Sequence, residues 1–246
     1  MIEAFINKSA EILGETDYKK GLTNSEIKKY FSNYGNDYNK NPECLQADCK
    51  YQDNNLNKKD KIKKNLQVFT NEEKFSILNE LFSLDKFSSN SEAIKQKIKL
   101  FQEYQQYNKT PKKLDIKIVE EIKHFLKDYP ESLKSFQDAT IKIEANIFNR
   151  NALDDLRFSL EQFLKELLDN DKSLENQLKG NIETFIKTNG YSKYISTMFQ
   201  KLVDSYASHQ NETVKHKDQI KQEIEFIFDL TIAFMKFLIK VKNGYS

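Results

Sequence analysis

Two of the chain's three histidines lie close together in the stretch His209-Gln210-Asn211-Glu212-Thr213-Val214-Lys215-His216-Lys217-Asp218. An imidazole changes charge near neutral pH, so His216 is a candidate acid or base for proton transfer. The stretch is polar and joins two strongly apolar helical patterns, which would fix its backbone and leave its side chains free. A second role for His216 stays open, as a helix N-terminal histidine bonded locally. His209 sits nearer the end of the preceding helix, where a cation suits the dipole, and reads as a cap. His124, among Ile122, Phe125 and Leu126, reads as a surface or boundary residue. The sequence has no glycine-rich phosphate loop, nucleophile elbow or H-E-x-x-H pair. Cys44 and Cys49 have no third cysteine or nearby histidine to complete a metal site, and read as two spare thiols. Neither a metal nor a cofactor is expected.

The elements that would position such a site are helices. Only six Gly and three Pro occur in 246 residues, too little turn chemistry for a sandwich, a barrel or a short-looped α/β fold. Hydrophobic content is 38% and charged content 31%, so the chain has enough apolar side chains for a core. The 39 basic and 37 acidic residues leave a net charge of +2, which makes no global electrostatic case for nucleic acid. Arg150 and Arg157 are the only arginines. The N-terminus carries Glu3 and no long apolar run, so no signal peptide is expected. Ile224 to Val241 is apolar but holds Glu225, Asp229, Lys236 and Lys240, which a membrane would penalise. A cytoplasmic protein without a membrane partner is the expectation.

Helical spacing appears first at Ile2, Phe5, Ile6, Ala10 and Leu13, ending at Gly14. Thr23 and Glu26 form a capping box ahead of Ile27, Tyr30 and Phe31. That helix resembles the first of a helix-turn-helix, although capping boxes open packing helices equally well. Residues 34–57 read as a long flexible loop. The run Lys58, Lys59, Lys61, Lys63, Lys64 then opens a helix, as a phosphate-binding cluster or as a solvated face. A second capping box, Thr70 with Glu73, precedes Phe75, Leu78 and Leu81. Pro111 and the polar residues around it break the periodicity. The expectation is two all-α lobes, an N-terminal helical domain over 1–109 and a helical bundle over 110–246. Longer amphipathic patterns fill the second, and the last, from about Ile220 to Val241, is apolar on more than one face. Such a helix is central or lies in an interface.

From about Asn149 onward the chain resembles a HEPN domain, a helical bundle of prokaryotic defence and toxin systems. The likeness rests on a long amphipathic helix from Ala152 to Leu168, intervening helices, and a polar segment with histidine before the final helix. Gln210-Asn211 followed by His216 matches the HEPN motif of Arg, a polar residue, a spacer and His, with Gln210 where the arginine would stand. Glu161 and Lys165 match a second element, Glu, three residues, then a base. The stretch from Ala152 to Gln177 also resembles abortive-infection phage-defence proteins.

The resemblance implies a metal-independent RNA endonuclease in which a 2′-hydroxyl attacks the adjacent phosphorus. His216 would be acid or base, Asn211 would orient the phosphate, and Glu161 and Lys165 would support. It also implies a homodimer whose polar segments meet in one composite cleft, with an antitoxin or defence-system partner. The charge building in the transition state needs a fixed cation, which Gln210 cannot supply. Lys215 or Lys217 could do so only as a point charge. Losing one such partner costs roughly 3–4 kcal/mol. The chain is therefore a weak or altered nuclease, or a module that only binds RNA or dimerises. A DNA-binding regulator using Thr23 to Phe31 and the lysine run is the third alternative.

Overall fold

The computed structural model describes the chain except for residues 18–19, 43–55, 110–113, 148–149, 179, 212–216 and 245–246. Within helices it leaves aside the side chains of 116, 150–151, 178, 207–211 and 217–222. Every element among the described residues is helical. Two compact units divide at Pro111 and Lys112, next to the expected boundary between 109 and 110. No helix among the described residues is long and apolar enough to cross a membrane.

The first unit holds α1 (Glu3–Leu13), α2 (Asn24–Asp37), α3 (Lys58–Gln67), α4 (Asn71–Phe82) and α5 (Ser91–Tyr104). Both capping boxes form as their sequences require: Thr23 and Thr70 each accept from the amide three residues on, and Glu26 and Glu73 reach back. Glu26 also takes Lys86 at 2.7 Å. Burial pushes its carboxyl up, but the Lys86 and Thr23 hydrogen bonds outweigh that and hold it low. Gln96 of α5 donates to the Phe5 carbonyl at 3.2 Å and to Ser9 Oγ at 3.0 Å, locking α5 onto α1 inside the core.

One expectation for this unit needs correcting. The loop expected from residue 34 begins later, because α2 continues to Asp37. Tyr34 is buried with its ring edge-on to Phe31 at 5.9 Å, and that packing overrides the weak helix propensity of Gly35 and Asn36. Helix α1 ends at Gly14 as its spacing predicts, with φ at −96° and so outside the left-handed region. A Cβ there would stand 2.8 Å from the Ala10 carbonyl oxygen and 2.9 Å from the Lys59 amide nitrogen. Gly14 is thus needed for the close approach of α1 and α3.

The second unit holds α6 (Ile116–Phe125), α7 (Pro130–Glu144), α8 (Arg150–Leu167), α9 (Leu174–Leu178), α10 (Asn181–Thr188), α11 (Tyr194–Asn211) and α12 (Lys217–Asn243). Pro130 opens α7 at a first-turn position, where its missing N–H costs nothing. Helices α7 and α8 pack closely through two small residues. Ser132 Oγ donates to the Ser159 carbonyl at 2.9 Å and Ser159 Oγ to the Ser132 carbonyl at 2.8 Å. The core closes around α12, whose Phe228 stacks on Phe136 at 5.6 Å and whose Phe234 meets Phe199 at 3.9 Å.

Gly14→Ala should lower stability by about 1–3 kcal/mol through overpacking. Thr23→Ala should cost about 1 kcal/mol through loss of a cap. Urea unfolding measures both, and a Gly14→Ala protein as stable as its parent would show that α1 and α3 separate freely.

Candidate functional site

Positions Arg157, Glu161 and Lys165 follow one another at four-residue spacing along α8, so one face of the helix presents all three. Glu161 is the hub, its side chain only 12% exposed. It takes Lys165 at 2.9 Å and Arg157 at 3.8 Å, and accepts from the Leu174 amide at 3.3 Å. Leu174 begins α9, so the carboxylate satisfies a free amide at that helix's start. Arg157 bonds Glu175 at 2.7 Å, tying α8 to α9 a second time. The Glu175 hydrogen bond raises the Arg157 guanidinium further, ahead of the opposing effect of burial. For the Glu175 carboxyl, burial pushes up but the Arg157 bond wins and holds it below its usual value.

Tyr206 of α11 is fully buried and within electrostatic reach of Arg157. Its hydroxyl lies 2.5 Å from Thr231 Oγ1, which in turn donates to the Ile227 carbonyl at 2.7 Å. Burial pushes the Tyr206 hydroxyl up, so it stays a neutral hydrogen-bonding group. Gln210 lies one turn further along the same side of α11, followed by Asn211, the helix's last residue. The backbone of both belongs to α11 and their side chains lie outside the described residues. Lys215 and His216 also lie outside them, immediately before α12 opens at Lys217.

No family model, curated protein or solved structure matches this chain.

The structure thus joins Glu161 and Lys165 to two residues that the motif spacing missed as site members, Arg157 and Glu175. The available signal was Arg157 itself, one of two arginines and a turn before Glu161. Among the described residues no group of three or more His, Cys, Asp or Glu side chains could hold a metal. Cys44 and Cys49 lie outside the described residues.

The N-terminal lysines point to different tasks. Lys58 reaches the Glu15 carbonyl, capping the chain after α1. Lys59 faces Glu11 at 4.0 Å, and Lys61 donates to Asn24 Oδ1 at 3.0 Å. Lys58 and Lys59 line a cleft of about 1120 Å³, whereas Lys63 lines a separate one of about 240 Å³ beside Met1 and Lys74. Lys64 is exposed. The run is therefore spread around α3, and its mild conflict with the helix dipole is offset by these contacts and by Asn57, which caps Asp60. Residues 38–57 separate α2 from α3, where a helix-turn-helix has a turn of about three or four residues.

The Arg157–Glu175 pair makes stability depend on pH. The folded Glu175 carboxyl titrates below its usual value of 4.5, so its contribution is present above that value and is lost as pH falls through the folded one. Unfolding midpoints should decline in that acid window, and Arg157→Met should decline less steeply than the parent. Equal slopes for both proteins would show that the pair contributes nothing.

Proposed function

We propose that the C-terminal unit is a HEPN-like module that acts on RNA, as a metal-independent endoribonuclease of a cytoplasmic phage-defence or toxin system. The observation that carries this is the Arg157–Glu161–Lys165 face of α8, whose guanidinium lies within electrostatic range of Tyr206, one turn before Gln210 on α11. A guanidinium is the one group that the motif at 210 lacks, and Arg157 is the arginine that acts electrostatically on α11. In this reading Arg157 stands in for the missing arginine, and Glu161 and Glu175 fix its plane before substrate arrives.

The chemistry needs no metal. The 2′-oxygen forms a bond to the adjacent phosphorus while the bond from phosphorus to the 5′-oxygen breaks. The products are a 2′,3′-cyclic phosphate and a 5′-hydroxyl end. His216 takes the 2′-hydroxyl proton or protonates the leaving 5′-oxygen. Asn211 orients the phosphate, and Arg157 or the point charge of Lys215 offsets the charge that builds on its oxygens.

A second reading has its own support. Arg157 and Lys165 are balanced by Glu161 and Glu175, so the cluster carries no surplus charge for a phosphate. A module that binds RNA, an antitoxin or another defence protein without cutting needs no such surplus. The regulator reading, through Thr23 to Phe31 and the lysine run, has less to stand on, since Lys58, Lys59 and Lys61 are engaged within their own unit.

Incubating the purified protein with mixed single-stranded RNA in EDTA separates the first two readings. The nuclease should yield cyclic-phosphate ends, His216→Ala should abolish them, and Arg157→Met should slow them by about 10²–10³-fold. Gln210→Arg should speed cleavage. RNA retention without cleavage by any variant supports the binding module. Undiminished cleavage by His216→Ala ends the nuclease reading.

A further inference from the structure

Helix α12 is buried along most of its length, yet one of its lines faces solvent. Phe226 is 66% exposed, and Ala233 and Lys240 are exposed on the same side. At about 100° per residue, Phe226, Leu230, Ala233 and Phe237 form a stripe spaced four, three and four residues apart, the repeat with which one helix packs against another; Phe226 and Ala233 are open to solvent, and Leu230 and Phe237 are half-buried along the edge of the core. The stripe widens onto α11, because Phe237 meets Tyr191 edge-on at 5.1 Å and the neighbouring Tyr194 is 71% exposed. Along its other flank, toward α6, runs a groove of about 790 Å³ in which Glu225, Asp229, Lys236 and Lys240 follow one another.

The order of those charges is the telling feature. The acids occupy the first half of the face and the lysines the second. The midpoint of Glu225 and Lys240 falls between Ile232 and Ala233, and so does the midpoint of Asp229 and Lys236. The midpoint of Phe226 and Phe237 falls one residue earlier. A two-fold axis through that point sets two copies of α12 antiparallel and keeps each flank on its own side. The charged flank then meets the charged flank with its sign reversed, the apolar flank meets the apolar flank, and the small Ala233 sits at the crossing. A flank that is self-complementary only in the antiparallel sense selects a second copy of this chain over an unrelated helix.

We propose that the solvent face of α12 is a two-fold docking surface for a second copy of this chain, pairing Glu225 and Asp229 with the partner's Lys240 and Lys236. Glu225 and Lys240 have no ion-pair partner among the described residues, so the docked copy would supply one to each. Among the described residues the charge acting on Asp229 is a like one: burial pushes its carboxyl up, and so does Glu225. Lys236 is held at 2.5 Å by Glu121 of α6, which fixes it at the edge of the face. Nothing in this surface depends on ribonuclease activity. It also has a consequence for the proposed site. Lys217 lies about fifteen residues from the axis, so at 1.5 Å per residue the first residues of the two α12 helices would stand roughly 45–50 Å apart. Each subunit would then work alone, in place of the composite cleft implied by the HEPN resemblance.

Sedimentation velocity over a concentration series tests this with the full-length chain. The wild type should sediment as a dimer. Glu225→Lys and Lys240→Glu, each of which sets two like-charge pairs across the axis, should each raise the dimer dissociation constant at least tenfold. Mixing these two proteins should restore dimers, as should combining both substitutions in one chain. Phe226→Ser, at an exposed position, should weaken association without loss of helicity by circular dichroism. A monomeric wild type overturns the proposal. So do single charge variants as dimeric as the parent, which would place pairing on another face, and so does a mixture that stays monomeric.

Discussion

A 27-residue helix with Ile224, Phe228, Met235 and Leu238 on its inner sides cannot stand in water, and the second unit is arranged to cover it. Each such side chain contributes about 1.5–3 kcal/mol when fully buried. Helices α8 and α11 lie against α12, α7 meets it through Phe136 and Phe228, and α6 is pinned to it by Glu121 and Lys236. Within that interior Thr231 of α12 meets Tyr206 of α11, and the pair is satisfied through the Ile227 carbonyl. A lone hydroxyl there would cost about 1–3 kcal/mol, so the pair fixes the register of α11 on α12.

Helix α8 carries the charged cluster of the second unit. Its inner face is apolar, and its Glu161 side is used twice, to start α9 and to hold two cations. A lysine at 157 could reach Glu175 but would lack the planar fork that engages one partner and faces another. In a chain that otherwise uses lysine almost throughout, the two arginines stand at 150 and 157, both on α8. That placement, more than the spacing of Glu161 and Lys165, gives the proposed chemistry its cation.

The all-helical class was legible because glycine and proline are scarce and the apolar spacing is regular, and both capping boxes announced their helices at Thr23 and Thr70. Tertiary packing hid the rest. Gly35 and Asn36 read as loop because nothing local shows Tyr34 buried against Phe31. Ser132 and Ser159 read as ordinary polar residues, although their small size and reciprocal hydrogen bonds bring α7 and α8 together. The lysine run looked like one positive patch until α3 distributed its members among Glu15, Glu11 and Asn24. At the site, a match to spacing picked out Glu161 and Lys165, but the Arg157–Glu175 tie crosses 18 residues and two helices and leaves no local pattern. The double-faced apolar character of α12 was visible, and Phe226 shows where the second face lies.

With only three histidines in the chain, the imidazole resonances can be assigned by single substitutions and followed by NMR. Titrating the protein with single-stranded RNA in EDTA asks directly whether substrate meets the segment after α11. The His216 resonances should shift in proportion to RNA bound, while those of His124 should stay in place, and Arg157→Met should weaken the response. RNA binding that leaves His216 unmoved would contradict a site at this segment, wherever else on the chain the RNA then proved to lie.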